Sequence, residues 1–216
     1  MRKHGTMGRR WVTIFGAAVM LALPVAQAHG QESGSGLELT GYFGAMLPLS
    51  ELANRDDLLK AELSTKTAFG ASLDYWFGGN WGIQVMGGYA KPDLTVSTVD
   101  PDTNLPFSAD VGTVDYVHGE ATLLYRPRLT GAAVVLLPYF GVGAGMRRLS
   151  LPDESEFENS DDVTVILTAG SHIKLGSRTF LRLDVRDLIS SFDPGGLDES
   201  KLQNEIVLNV GLGIGL

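Results

Sequence analysis

The sequence predicts an all-β fold, an eight-stranded antiparallel up-and-down transmembrane β-barrel, and three observations carry that prediction. The last twelve residues place Ile206, Leu208, Val210, Leu212, Ile214 and Leu216 at alternate positions, with Glu205, Val207, Asn209, Gly211, Gly213 and Gly215 between them. A strand sends successive side chains to opposite faces, so this stretch has one aliphatic face and one small or polar face. The chain holds 27 glycines, and no segment after residue 28 is apolar over the length that a membrane helix needs. Alternating segments also recur with connections that are long and short in turn, the rhythm of a barrel with loops on one rim and turns on the other.

The front of the chain reads as a secretory signal peptide over residues 1–28. Arg2, Lys3, Arg9 and Arg10 make a basic start, Val12–Leu23 an apolar core, and Ala26-Gln27-Ala28 a small-residue cleavage pattern. The pair Arg9-Arg10 also fits a twin-arginine route, but a barrel bound for a membrane crosses unfolded, which favours the ordinary export route. Residues 29–36 are a short polar lead-in, and 37–216 form one domain. Without the first 28 residues, 13 Lys and Arg stand against 25 Asp and Glu, a formal charge of −12. Such a surface excludes nucleic acid, whose phosphates require a basic footprint. The absence of cysteine excludes disulfides and thiolate metal sites.

The elements follow in order. Leu37–Leu47 alternates Leu37, Leu39, Phe43 and Ala45 with Glu38, Thr40 and Tyr42, and Pro48 stops it. Leu49–Ser64 reads as a long connection with room for a helical turn. Thr67–Phe77 puts Phe69, Leu73, Tyr75 and Phe77 on one face and Gly70, Ser72, Asp74 and Trp76 on the other. Gly78-Gly79-Asn80 is a tight turn, and Trp81–Lys91 follows with Trp81, Ile83, Val85 and Tyr89 on its apolar face. Pro92–Val111 is a second long loop. Thr113–Arg126 sets Val117, Ala121, Leu123 and Tyr125 against Tyr116, His118, Glu120 and Thr122; Leu136–Arg148 sets Phe140, Val142 and Ala144 against Tyr139, three glycines and Arg147. The loop Leu149–Asp162 is acidic throughout. Val163–Leu175, the turn Gly176–Arg178, Thr179–Ser190 with Arg182, Asp184 and Arg186 on one face, the loop Asp193–Lys201 and the terminal strand complete the set.

Alternation alone does not say which face is outside. A soluble barrel of lipocalin type would turn the aliphatic stripes inward, and Gly79-Asn80-Trp81 echoes a lipocalin pattern, though far from the first strand where that pattern belongs. Two features favour the membrane sense. Tyr75, Phe77, Trp81 and Tyr125 gather near the short-turn rim, where an aromatic girdle meets the bilayer interface. The opposite face joins glycines to long charged side chains, and an eight-stranded barrel has an interior that side chains fill.

On these residues the chain resembles the small outer-membrane β-barrel domain family, of OmpA and OmpX type. The resemblance covers 37–216, and Leu181-Arg-Leu-Asp-Val-Arg-Asp187 is similar to penultimate-strand segments of such barrels. It implies a monomer in the bacterial outer membrane, in contact with outer-membrane lipid and lipopolysaccharide and inserted by the barrel-assembly machinery. The family usually ends on an aromatic residue that this machinery reads, whereas Leu216 stands at that place here. The role implied is structural or surface-interacting in the cell envelope.

The inward set comprises Glu38, Asp74, Glu120, Asp184 and Glu205 with Arg147, Lys174, Arg182 and Arg186, plus His118 and His172. Buried charges demand partners. A salt-bridge network that plugs the lumen is the expectation, and a narrow pore for small solutes or ions through the same residues is the alternative. A lipid-modifying hydrolase ranks below both. Ser72, Asp74, His118, Glu120 and His172 share the inward face, but no nucleophile elbow or metalloprotease motif accompanies them. No catalytic residue, cofactor or resident metal is therefore expected. Divalent-cation binding by Asp153–Asp162 is a further alternative, without an EF-hand spacing to support it.

Overall fold

The computed structural model describes residues 36–50, 53–55, 59–99, 106–127, 136–151, 160–192 and 201–216. The expected signal peptide and most of the polar lead-in lie outside them. Eight long strands close into an antiparallel barrel: β1 (Gly36–Pro48), β4 (Lys66–Phe77), β5 (Trp81–Ala90), β8 (Asp115–Tyr125), β9 (Leu136–Ser150), β10 (Ser160–Lys174), β11 (Thr179–Phe192) and β12 (Lys201–Gly215). The expected architecture is the one observed. Closure is made by β1 and β12, paired from Glu38↔Gly215 to Pro48↔Glu205, and Leu216 N–H adds a bond to the Leu37 carbonyl at 2.8 Å.

The register fixes the tilt. From Gly44, one path around the wall runs Ala68, Ala90, Tyr116 and Leu149. The other runs Asn209, Asp184, Gly170 and Tyr139. The two paths arrive on β9 ten residues apart, a shear of ten for eight strands. A barrel of this kind has strands tilted about 40° from its axis.

Where the chain turns tightly, glycine is required. Gly78 and Gly79, in the three-residue loop between the paired Phe77 and Trp81, both hold positive φ, 59° and 79°, which side chains resist. Asn80 ties this turn to the next strand: its Nδ2 donates to the Arg126 carbonyl at 2.7 Å, and Arg126 N–H donates to the Asn80 carbonyl at 2.7 Å. Tyr75, Phe77, Trp81 and Tyr125 lie at this rim. Tyr75, Trp81 and Tyr125 are exposed, Tyr75 stacks on Phe77 at 6.3 Å, and Trp81 meets Tyr125 at 4.9 Å.

The long loops depart from the expectation. Instead of a helical turn and an irregular loop, they contain β2 (Ala53–Arg55), β3 (Leu59–Leu63), β6 (Asp93–Val99) and β7 (Pro106–Thr113), joined in a second sheet of order β2-β3-β6-β7. This sheet continues barrel strands past a short break, bridged by Ser64 N–H to the Asp93 carbonyl at 2.9 Å and Val114 N–H to the Pro92 carbonyl at 2.8 Å. Ala61, Leu63 and Leu94 from the loop sheet are buried in one cluster with Met46, Ala68, Ala90, Leu149, Ile166, Leu188 and Val207 from the barrel wall. The apolar alternation Ala61, Leu63 and Leu94, Val96 was present in the sequence, but short strands become recognisable only once paired. The strands β10 and β12 also begin earlier than expected, so Asp161 and Asp162 belong to the wall rather than to the acidic loop.

Candidate functional site: the charge network of the lumen

Inward-facing residues of the eight strands meet along the barrel axis. Ten of the expected lumen charges and histidines are brought into the interior; Lys174 is not. It occupies an inward-parity position opposite Phe180, yet it is exposed because β10 ends there at the turn rim, while Phe180 fills the mouth.

Near the turn rim, Trp76 Nε1 donates to Glu38 Oε2 at 2.9 Å, and Arg126 stacks over the Trp76 ring at 3.7 Å. Arg126 Nη2 donates to His172 Nδ1 at 2.7 Å and approaches Glu38 Oε1 to 3.8 Å. An arginine can only donate, so His172 Nδ1 is the acceptor and Nε2 carries the hydrogen. Tyr139 and Phe180 enclose the imidazole, with ring centroids 5.2 and 4.7 Å away.

Deeper in, the network joins five strands, β4, β5, β8, β9 and β11. Asp74 accepts from Ser72 Oγ at 2.8 Å, from Gln84 Nε2, and from Arg182 Nη1 at 2.8 Å. Arg182 Nε donates to Tyr139 OH at 2.7 Å, and that hydroxyl donates to Asp184. Arg186 bonds Asp184 Oδ1 at 2.6 Å through Nε, pairs with Glu120 through Nη1, and donates to Gln84 from Nη2. Asp74, Arg182, Arg186 and Gln84 have no exposed surface. A desolvated charge costs several kcal/mol unless paired, and here each guanidinium reaches an acid on another strand, Arg182 to Asp74 and Arg186 to Glu120.

A second cluster lies toward the loops. Arg147 Nε donates to Asp162 Oδ2 at 3.0 Å, and Nη1 pairs with Glu205, which also accepts from Tyr116 OH at 3.1 Å. Between the two clusters stands His118, its ring edge-on to Tyr116 at 5.7 Å and both ring nitrogens without a partner. Glycine makes this arrangement possible. A Cβ on Gly88 would lie 2.2 Å from His118 Cε1, and one on Gly211 2.7 Å from the Tyr42 ring.

Sequence reasoning missed Arg126, Asp162, Gln84 and the tyrosine donors. The signal was available: Arg126 continues the inward series His118, Glu120, Thr122, Leu124, and Asp162 continues Thr168, Ile166, Thr164. With both added, six carboxylates face four guanidiniums in the lumen. Among the described residues no group of three or more His, Asp or Glu is placed to hold a metal ion. Most of Asp153–Asp162 lies outside the described residues, and Asp162 itself is held by Arg147. On the outer wall at the loop rim, Tyr89 OH and Lys91 Nζ reach Asp115 at 2.6 and 3.2 Å.

A closed antiparallel barrel with lipid-facing aliphatics, an aromatic girdle and an ion-paired interior defines an outer-membrane barrel protein. The family model described as outer membrane protein beta-barrel domain matches residues 15–214, and the chain belongs to that family. The fold is similar to the crystal structure of OprG from Pseudomonas aeruginosa, with a TM-score of 0.63 at 17% identity over 87% of this chain and 98% of that one. It is similar to outer membrane protein AlkL in DMPC bilayers, at 0.55 and 18% over 88% and 94%. Neisserial surface protein A gives 0.52 and 13% over 86% and 100%. Comparison with curated protein sequences gave no match. The family sets the location as the bacterial outer membrane.

Proposed function

We propose that this chain is a closed-lumen barrel with a structural and surface-presenting role in the cell envelope. One observation carries the reading: Arg182, Arg186 and Arg147, each essentially unexposed, bridge carboxylates from β4, β8, β10, β11 and β12 across the barrel axis. Such a cross-brace occupies the path that a solute would take. The short turns of outer-membrane barrels face the periplasm, so the loop sheet β2-β3-β6-β7 is the surface offered outside. The reading takes the chain as a monomer in outer-membrane lipid and lipopolysaccharide, delivered by the barrel-assembly machinery. It assigns no catalytic role, since Ser72 is bonded to Asp74 and Tyr42 while the His118 nitrogens have no partner.

The second reading is a narrow pore for small solutes or ions. Its supporting observation is the unpartnered His118 imidazole, next to an unpartnered Glu120 Oε2. Planar-bilayer recording separates the two. The closed-lumen reading expects no discrete conductance steps from the unmodified protein, and reproducible steps that change size in Arg182→Ala would overturn it.

A further inference from the structure

We propose that the β10–β11 hairpin end is a head-group site for an anionic glycerophospholipid, whose phosphate lies between Lys174 and Arg178. The two rims of the barrel carry opposite charge. On the turn rim, the connections 78–80, 126–135 and 174–178 contain Arg126, Arg128, Lys174 and Arg178 and no Asp or Glu. On the other rim, 49–65, 91–114, 151–159 and 193–200 hold four, four, four and three Asp or Glu, against three Lys or Arg in all. Short turns of outer-membrane barrels face the periplasm, so the basic rim meets the head groups of the inner leaflet. Cations beside a membrane surface attract anionic lipid.

Within that rim the free cations are at one hairpin. Lys66, Lys91, Arg126, Arg147, Arg148, Arg182 and Arg186 are each paired with a carboxylate. Lys174 and Arg178 are exposed, and neither has a carboxylate partner among the described residues. Glu38, the described acidic side chain at this rim, is taken by Trp76 and Arg126. The hairpin end holds the two cations in place. The Thr179 carbonyl accepts from Leu175 N–H at 3.0 Å and from Gly176 N–H at 3.1 Å, and Gly215 N–H donates to the Arg178 carbonyl at 2.7 Å. Lys174 pairs with Phe180, two residues beyond Arg178, which relates the cations as diagonal neighbours with backbones about 7–8 Å apart. Two long side chains close that span onto one phosphate, the guanidinium as a fork and the ammonium as a point charge.

The same hairpin supplies what acyl chains need. Leu175, next to Lys174, is 59% exposed. From it an aliphatic track runs up the outer wall, with Ile173 paired to Leu181, Leu181 to Leu212, and Ile214 one outward position from Leu212 toward the rim. Leu212 and Ile214 are exposed. Unpaired cations at the foot of an apolar wall fit an amphiphile with its negative charge at the head. A soluble anion would engage the cations and leave the wall unused, and a choline head group would bring a cation of its own against them. The site shares the membrane orientation of the proposed function but not its closed lumen, since neither residue belongs to the ion-pair network.

The test titrates the folded protein in detergent with phosphatidylglycerol or phosphatidylcholine of the same acyl chains and counts bound lipid by native mass spectrometry. The unmodified protein takes up phosphatidylglycerol in preference. Lys174→Gln and Arg178→Gln each lower that preference about five-fold, and the double variant about thirty-fold, the effect of two cations beside an anionic head group. Raised salt erases the preference of the unmodified protein. Lys174→Arg keeps it, and so does Arg148→Gln, which removes a cation from the opposite rim. Lys174 and Arg178 are exposed, so the variants keep the gel shift of a folded barrel, and that shift qualifies each sample. An undiminished preference in the folded double variant, or an equal loss in Arg148→Gln, overturns the site. Displacement of bound phosphatidylglycerol by soluble glycerophosphate at equal concentration overturns the lipid as occupant in favour of a free phosphate. Conductance steps, which test the closed lumen, do not depend on these two residues, so the two readings fail separately.

Discussion

Arg182 is the residue on which the interior turns, since it bonds Asp74 and Tyr139 and stacks over Tyr139 at 4.5 Å. Removing it leaves the buried Asp74 carboxylate without its cation, while Asp184 keeps Arg186, and breaking such a pair costs about 3–5 kcal/mol. Arg182→Ala is therefore expected to lower stability by that order in urea unfolding from lipid vesicles. The double variant Arg182→Met, Asp74→Leu is expected to recover most of the loss, because no orphaned charge remains; a double-mutant cycle with no coupling would contradict the network. Glycine supplies the contrasting case. On Gly44, a Cβ would fall 2.0 Å from the Leu208 carbonyl oxygen, a backbone atom that cannot swing away, whereas on Gly87 it meets nothing nearer than 3.8 Å. Gly44→Ala is expected to abolish folding to the heat-modifiable form, and Gly87→Ala to leave it intact, both read on unheated gels.

At the level of elements, the loop sheet is held down by a small set of contacts. Leu94 in β6 is fully buried between that sheet and the barrel wall, with Leu63 and Ala61 beside it. Burying an aspartate there without a partner carries a penalty of a few kcal/mol, larger than short strands of three to eight residues can absorb. Leu94→Asp is expected to open residues 49–65 and 91–114 to protease added outside intact cells, while the eight barrel strands keep their gel shift. Cleavage no faster than in the unmodified protein would place the roof's stability elsewhere. The barrel strands do not share this fragility, since each is paired on both sides and closure leaves no free edge.

Over the whole molecule, closure and the interior brace act together. The eight strands form a cylinder whose lumen polar atoms are met largely from within, and its apolar exterior meets lipid. The unheated protein is accordingly expected to migrate differently from the boiled one in SDS; identical mobility together with recovery in the soluble periplasmic fraction would sink the membrane reading.

How much of this was legible in the sequence differs between face and height. Period-two alternation assigned Arg182, Asp184, Arg186, Glu120 and Glu205 to the interior, because a strand's pleat makes the side of the wall a local property. The same parity, carried two residues further, reaches Arg126 and Asp162. Parity also placed Lys174 inside, and there it failed, because only the packed mouth at Phe180 shows where the lumen ends. Local pattern likewise could not turn 59–63 and 93–99 into a sheet, whose strands hold only through pairing. The sequence by itself determined eight alternating stripes, the apolar exterior and the composition of the interior. The tertiary structure decided which charges meet. A ten-residue shear slides distant strands past one another, so that Arg182 finds Asp74, 108 positions away, and Arg147 finds Glu205, 58 positions away. Heights along a barrel axis are a property of its closure, and no single strand contains them.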